Sequence, residues 1–159
     1  APEFAGPELP GLVREALAET GIQAGRVCLE MTEMTLMDAP EVALNTLAAL
    51  RDIGVTVAID DFGTGYSSLA YLKRFPVDGI KIDRTFIADV VTDADSTTIV
   101  ESIVSLGQAL SLELVAEGVE NEQQLAVVRR LGIKRAQGYL VSAALPPDEF
   151  VAFVQERSG

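Results

Sequence analysis

The chain has 159 residues, of which 48% are hydrophobic, and this length and composition are typical of one globular domain. Its formal net charge is −12 and it has no histidine, so we expect no nucleic-acid partner and no His-based catalysis. No apolar run approaches the roughly 20 residues of a membrane helix, and no signal peptide is evident. We therefore expect no membrane segment and a cytoplasmic location, or the cytoplasmic portion of a larger protein. The one cysteine, Cys28, lies in an apolar run and is predicted to be a packed thiol.

The predicted elements alternate between strands and helices. Residues 1–10 are rich in Pro and Gly and are predicted to be a linker or a cut end, and a helix over residues 11–20 follows and ends at Gly21. Strands are predicted at residues 27–33, 55–59, 78–83, 113–118 and 135–140. Helices are predicted at residues 40–53, 67–75, 93–110, 121–131 and 147–156, with a helical turn at 84–91. This order predicts a parallel sheet, in either a doubly wound α/β fold or a (β/α) barrel.

The segment from residue 55 to residue 66 is the most informative part of the chain. Residues 55–59 are apolar and rich in β-branched side chains, which predicts a strand buried on both faces. The strand ends in adjacent carboxylates, Asp60 and Asp61, and desolvating each would cost several kcal/mol. They must therefore lie at a solvent-facing rim or have a positive charge between them. The plain alternative is a polar strand end followed by a turn that Gly63 and Gly65 permit.

Charged and polar residues recur near the C-terminal ends of the predicted strands: Glu30, Asp60, Asp61, Lys81, Asp83, Glu117 and Gln137. Because the carboxyl ends of parallel strands share one rim, we expect these side chains in one patch. Closely spaced carboxylates repel, and divalent cations relieve that repulsion. Oxygen ligands without His or Cys suit Mg²⁺ or Mn²⁺, and Ca²⁺ less productively. Two such ions are the usual device for displacement at phosphorus, with Lys81 orienting water or stabilising charge.

Each of these residues also has a plain structural interpretation. Glu30 could lie on a solvated strand face. Lys81 and Asp83 could form a surface ion pair, and Glu117 with Glu120 could belong to an exposed turn before a helix. The coincidence of all of them at strand ends favours a functional site.

Five motifs carry a resemblance to a known family: Leu29-Glu30-Met31-Thr32-Glu33, Asp60-Asp61-Phe62-Gly63-Thr64-Gly65-Tyr66-Ser67-Ser68-Leu69, Lys81-Ile82-Asp83, Ala116-Glu117-Gly118-Val119-Glu120 and Gln137-Gly138-Tyr139. In this order and spacing they resemble the EAL-domain family, the phosphodiesterases of the bacterial second messenger cyclic di-GMP. The match runs from about Pro7 to the C-terminus. The resemblance implies a (β/α)8-type, TIM-like barrel with one irregular strand. It also implies metal-dependent hydrolysis of cyclic di-GMP to linear pGpG in second-messenger signalling.

The resemblance further implies roles for individual residues. Metal ligation, in a two-metal site for Mg or Mn that Ca inhibits, is implied for Glu30, Asp60, Asp61 and Glu117. Catalytic roles are implied for Lys81, which would help position the attacking water, and for Asp61 and Glu117. Supporting roles are implied for Glu33, which would brace the loop after Asp61, and for Asp83, Glu120 and Gln137. Contacts with cyclic di-GMP are implied for Phe62, Gly63 and Tyr139.

Two departures from the family pattern concern the completeness of the domain. The family's name-giving Glu-Ala-Leu and an Asn ligand lie on earlier strands that are not present, and Glu15-Ala16-Leu17 is a coincidence inside a helix. Residues 11–159 are therefore expected to be the C-terminal part of one EAL-type domain, an incomplete barrel of about five βα units. In addition, Ala143 and Ala144 follow Ser142, where the family has Lys or Arg and then Pro.

These departures leave two functional interpretations. The first is a truncated phosphodiesterase that is weak or inactive alone. The second is a catalytically incomplete module that binds cyclic di-GMP or a protein partner. An open barrel edge, or the loop at residues 62–68, could mediate a homodimer.

Overall fold

The computed structural model describes residues 6–65 and 69–157, in which strands and helices alternate. The strands are β1 (Cys28–Thr32), β2 (Thr56–Phe62), β3 (Gly79–Ile82), β4 (Glu113–Ala116) and β5 (Arg135–Ala136). The helices are α1 (Leu9–Thr20), α2 (Glu33–Asp38), α3 (Pro40–Ile53), α4 (Leu69–Leu72), α5 (Arg84–Ala88), α6 (Ala94–Ala109), α7 (Glu122–Arg130) and α8 (Pro147–Arg157). A 3₁₀ turn covers Ala24–Arg26. Every predicted strand is present, although β5 is shorter than the sequence indicates.

The five strands form one parallel sheet in the order β1-β2-β3-β4-β5. The order never reverses, as it would in a doubly wound sheet, so the fold is of the (β/α) barrel type. Within the described ranges β1 and β5 each pair with one strand only, so the sheet is open. The prediction of an incomplete (β/α) barrel is confirmed.

The hydrophobic core lies between the sheet and the helices that cover its outer face. α3 packs against β2, α6 packs against β3 and β4, and α1 packs on α3. The completely buried side chains of this layer include Leu36, Leu47, Leu50, Ile59, Ile80 and Ile82. By contrast, α8 contains no buried residue.

Local signals fix several helix ends, and one of them was not predicted. Pro40 begins α3 and Gly54, with φ of 93°, ends it. Asn121 and Gln124 form a capping box at the start of α7. The predicted strand at residues 27–33 extends one residue too far at each end. At its C-terminal end the Thr32 hydroxyl accepts a hydrogen bond from the Thr35 amide and caps α2.

The inner face of the sheet lines an open groove of about 950 Å³. Cys28 and Thr56 are among its lining residues, and Cys28 is exposed. The prediction of a packed thiol at Cys28 is therefore wrong, because its side chain lies on the inner face of an edge strand. Four of the five residues at 55–59 are buried and Thr56 is half-buried, so the predicted burial on both faces holds except at Thr56. The outer face of the strand meets the helices, while the inner face borders the groove.

Gly118 lies where the loop after β4 passes α5, and a side chain there is excluded for two reasons. Its φ is +69°, and a Cβ added to it would lie 2.6 Å from the Arg84 Cβ. We expect Gly118→Ala to be more destabilising than Gly21→Ala by about 1–3 kcal/mol in the free energy of unfolding. Gly21 is a matched control, because its φ is +68° but nothing lies within 4 Å of an added Cβ. Urea unfolding of both variants measures the difference, and equal losses would show that only φ matters.

Candidate active site

The Lys81 ammonium lies among three carboxylates that come from three other segments of the rim. Its Nζ is 2.6 Å from Glu117 Oε1, 2.7 Å from Glu30 Oε2 and 3.1 Å from Asp60 Oδ1. The Lys81 side chain is 6% exposed, so these ion pairs are shielded from solvent on the lysine side. Lys81 is thus not in a simple surface pair with Asp83, and the predicted convergence of strand ends holds for these four residues.

A β-bulge brings two adjacent aspartates to the same site. Ile59 pairs with Ile80 and Phe62 pairs with Ile82, so Asp60 and Asp61 together lie opposite one residue of β3. An extra residue in one strand interrupts the alternation of side chains between the two faces. Asp61 has φ of 52°, a left-handed conformation that Asp tolerates better than most residues. The bulge therefore allows both carboxylates to point toward one patch.

The carboxylates of Asp60, Asp61 and Glu117 form a group that could hold a metal ion. One oxygen from each lies within 4.8 Å of the others. Asp60 Oδ1 is buried, and its polar contact in the described part of the chain is the 3.1 Å ion pair with the shared Lys81 ammonium. A buried carboxylate oxygen that shares one ammonium with two other acids is only partly compensated, and a hard divalent cation would complete its coordination. The residues present therefore fit a divalent cation.

Burial and charge shift the proton equilibria of the site. Burial raises the pKa of Glu117 above its ordinary 4.5 and the Lys81 ammonium opposes that rise. Burial also raises the pKa of Asp61 above its ordinary 3.8, and the neighbouring charges of Asp60 and Asp83 raise it further. For Lys81, burial works to lower the pKa, but hydrogen bonds to carboxylates outweigh it and hold the pKa above its ordinary 10.5. Lys81 is therefore an ammonium at neutral pH.

Glu33 supports the loop that follows the two aspartates. It is 1% exposed, and its Oε2 accepts a hydrogen bond of 2.9 Å from the Gly63 amide. A Cβ at Gly65 would lie 2.9 Å from Glu33 Oε1, so the loop passes directly over this carboxylate. The geometry agrees with the bracing role that the resemblance implies for Glu33. The rest of the predicted loop, residues 66–68, lies outside the described residues.

Asp83 begins α5 and lies beside the bulge. Its Oδ1 accepts hydrogen bonds from the Thr85 amide, at 2.8 Å, and from the Thr85 hydroxyl. Burial works to raise the pKa of Asp83, but these hydrogen bonds outweigh it and lower the pKa below the ordinary value. The Asp83 carboxylate also interacts with Asp61. Asp83 is therefore well placed to support the site.

The remaining predicted site residues differ in how near they lie to the carboxylates. Gln137 Nε2 donates a hydrogen bond of 2.5 Å to Glu117 Oε1, so Gln137 belongs to the site. Glu120 is exposed, and its backbone amide takes part in capping α7. The side chain of Tyr139 is 73% exposed. Within residues 6–65 and 69–157, neither Glu120 nor Tyr139 has a side-chain contact with the site.

Phe62 and Gly63 were predicted to contact the ligand. The Phe62 side chain is only 4% exposed and packs in the hydrophobic core, so a ligand at the rim could reach its backbone but not its ring. This burial follows from the bulge, which directs the two aspartates to the rim and the Phe62 side chain to the helix-covered outer face. Gly63 is exposed and its amide is already bonded to Glu33, so its predicted contact with a ligand remains a prediction.

Known proteins are similar to this chain in sequence and in fold. The family model of the EAL domain matches residues 2–144. The bifunctional diguanylate cyclase/cyclic di-GMP phosphodiesterase MucR of Pseudomonas aeruginosa is 44% identical over 152 residues, which are 96% of this chain and 22% of MucR. A structure of the PaMucR phosphodiesterase with c-di-GMP has a TM-score of 0.89 and 44% identity, covering 92% of this chain and 60% of that one. Klebsiella pneumoniae BlrP1 with manganese and cyclic di-GMP has a TM-score of 0.80 and 34% identity, covering 88% of this chain and 36% of that one.

The chain belongs to the EAL domain family. It spans about a fifth of the length of the curated relatives it matches. Among the described residues, no helix has the length and apolar character needed to span a bilayer.

The raised pKa of Asp61 predicts how Asp61→Asn alters stability. An acid whose pKa is higher in the folded state than in the unfolded state lowers the stability of the fold at pH values above the folded-state pKa. It has no effect on stability at pH values below the unfolded-state pKa. Without metal at pH 7, we expect Asp61→Asn to raise the melting temperature by about 1–2 °C, since solvent screens the repulsion. The gain should vanish as the pH falls toward 3.8.

Calorimetric melting with chelator, and then with excess Mg²⁺, measures both effects of this substitution. Mg²⁺ should stabilise the wild type more than Asp61→Asn if Asp61 is a ligand. Asp52→Asn, an exposed acid on α3, serves as the control. An equal response of wild type and Asp61→Asn to Mg²⁺ would show that Asp61 does not bind the ion.

Proposed function

We propose that this chain carries the metal-binding half of a site that hydrolyses cyclic di-GMP to linear pGpG. The observation that carries the proposal is the Lys81 ammonium held among Glu30, Asp60 and Glu117, with Asp61 brought beside them by the bulge. The named activities of MucR and PaMucR support the substrate class. The location is proposed to be the cytoplasm, where a bacterial second messenger would act.

A divalent cation, Mg²⁺ or Mn²⁺, would be held by Asp60, Asp61 and Glu117, with Glu30 beside them, and would supply charge neutralisation and an activated water. We propose that two such ions bind in the complete domain. Ca²⁺ should bind the same oxygens without supporting turnover, because its coordination is larger and more flexible.

Lys81 is suited to donating hydrogen bonds but not to accepting a proton. Its raised pKa keeps it charged across the pH range of the cell, so it cannot serve as a general base. Its contacts with carboxylates of several strands hold those oxygens in place before a ligand arrives. We propose that the same ammonium orients the attacking water and stabilises charge that develops on phosphate oxygens.

Gln137, Glu33 and Asp83 are proposed to hold this arrangement. Gln137 donates a hydrogen bond to Glu117 Oε1, and this bond leaves Glu117 Oε2 for a metal ion. Glu33 fixes the backbone just after the bulge through the Gly63 amide. Asp83 is fixed by Thr85 and lies against Asp61.

A binding module without turnover is the second candidate function. Ala143 and Ala144 favour it, because they stand where the family has a cation and a proline. Both residues are exposed in the structure, and neither supplies a charge for a phosphate. A homodimer through the open sheet edges or the loop at residues 62–68 is a further proposal, and light scattering would test it.

Turnover of cyclic di-GMP tests the proposed function. The chain is incubated with Mg²⁺ or Mn²⁺, and pGpG is measured by chromatography. We expect Lys81→Met to lower the rate by roughly 10²–10³, because a preorganised charge at the reacting phosphate is lost, and Asp60→Asn to abolish metal-dependent product.

The control for turnover is Glu41→Gln, which removes only a surface ion pair with Arg74. Calorimetry with cyclic di-GMP and Ca²⁺ completes the experiment. Binding without turnover would support the binding module, whereas neither binding nor turnover would contradict both candidate functions for this chain.

A further inference from the structure

Gln124 is a buried polar side chain whose hydrogen bonds join two segments of the rim. It is 5% exposed. Its Oε1 accepts hydrogen bonds from the backbone amides of Glu120, at 2.7 Å, and Asn121, at 3.2 Å. Its Nε2 donates to the Ala88 carbonyl, at the C-terminal end of α5, at 3.1 Å. One amide group therefore ties the loop after β4 to the helix after β3.

Both tied segments begin at residues of the site. The loop starts with Glu117, and α5 follows Lys81 after two residues. The two segments also touch at Gly118, where an added Cβ would lie 2.6 Å from the Arg84 Cβ. The Glu117 amide is itself bonded to the Ile82 carbonyl at 3.1 Å, so a shift of residues 118–120 along α5 would act on the 2.6 Å contact between Glu117 and Lys81 through the adjoining Gly118.

The capping of α7 does not by itself explain why residue 124 is glutamine. A capping box accepts Glu or Gln at this position, since only a side-chain oxygen is needed. The donor Nε2 is what glutamine adds, and in this structure it is directed at Ala88. A buried carboxylate would instead face a carbonyl oxygen and lack a donor there.

We propose that Gln124 is a positioning residue that holds Glu117 against Lys81 by joining the β4–α7 loop to α5. Its contribution to metal binding and turnover rests on the proposed function. Its contribution to the order of the loop does not, because the hydrogen bonds exist within the chain alone.

Gln124→Glu is the sharpest test, because it keeps the capping oxygen and removes the donor. It also adds a negative charge, but that charge alone would strengthen Mg²⁺ binding, which is the opposite of the expected result. We expect amide hydrogen exchange over residues 117–120 to accelerate several-fold in the metal-free chain. The affinity for Mg²⁺, measured by calorimetry, should fall by about tenfold, as for other groups that orient metal ligands. Lowering the pH should reduce the difference in exchange, because a protonated carboxyl at position 124 can again donate to Ala88.

Asn121→Ala is the matched control. It removes the side-chain cap of α7 and should lower the melting temperature, but it leaves the bond from Gln124 Nε2 to Ala88 in place. Exchange should accelerate in the first turn of α7, while Mg²⁺ affinity stays at the wild-type value. Thermal melting of both variants separates a general loss of stability from a local one.

The outcomes distinguish this proposal from the proposed function. Wild-type exchange over residues 117–120 in Gln124→Glu would overturn the positioning role, whatever the activity. A wild-type chain that neither binds Mg²⁺ nor hydrolyses cyclic di-GMP would overturn the proposed function, and the exchange data would still decide the role of Gln124. If Gln124→Glu does not fold, Gln124→Met takes its place. It removes both the donor and the capping oxygen without adding a charge, so its effect on residues 117–120 is compared with that of Asn121→Ala, which removes the other half of the capping box.

Discussion

The rim of this sheet is organised by one ammonium group. Lys81, on a central strand, contacts carboxylates carried by β1, by β2 and by the residue after β4. Bringing those acids together without a cation would add mutual repulsion to the cost of their partial desolvation. Removing the ammonium would leave several carboxylates uncompensated. The resulting loss of folding stability is usually larger than the net stabilisation that the ion pairs contribute. The relative position of four strands at this end is therefore linked to one side chain.

The second constraint is the bulge in β2, which brings two consecutive side chains to the same rim, as a regular strand cannot. Consecutive side chains of a strand point to opposite faces, so a regular β2 would turn either Asp60 or Asp61 into the apolar core. One extra residue and a left-handed Asp61 bring both carboxylates to the rim and bury Phe62 beneath them. Such a conformation persists only when its surroundings hold it, and here Glu33 binds the Gly63 amide just beyond it.

Much of this arrangement could be predicted because strand ends in a parallel sheet share one rim. The proximity of Glu30, Lys81 and Glu117 to one another follows from that rule alone. The bulge, the burial of Phe62 and the position of Gln124 could not be predicted in the same way, since each depends on contacts between segments far apart in the sequence. Cys28 was misjudged for a related reason: an apolar run indicates a strand but does not indicate whether its inner face is covered.

The charge at the rim constrains the order in which a phosphodiester and its metal ions can bind. Glu30, Asp60, Asp61 and Glu117 against Lys81 give a net charge of −3 when all are ionised. One divalent cation would leave −1, which still repels a phosphate, whereas two would give +1. With the adjacent Asp83 carboxylate counted as well, each total is one lower, so repulsion of an anionic ligand ends only when two ions are bound. The charges thus support the proposal of two ions, with metal binding before ligand. The overall charge of −12 strengthens this dependence, because the surrounding surface offers an anion no compensating attraction.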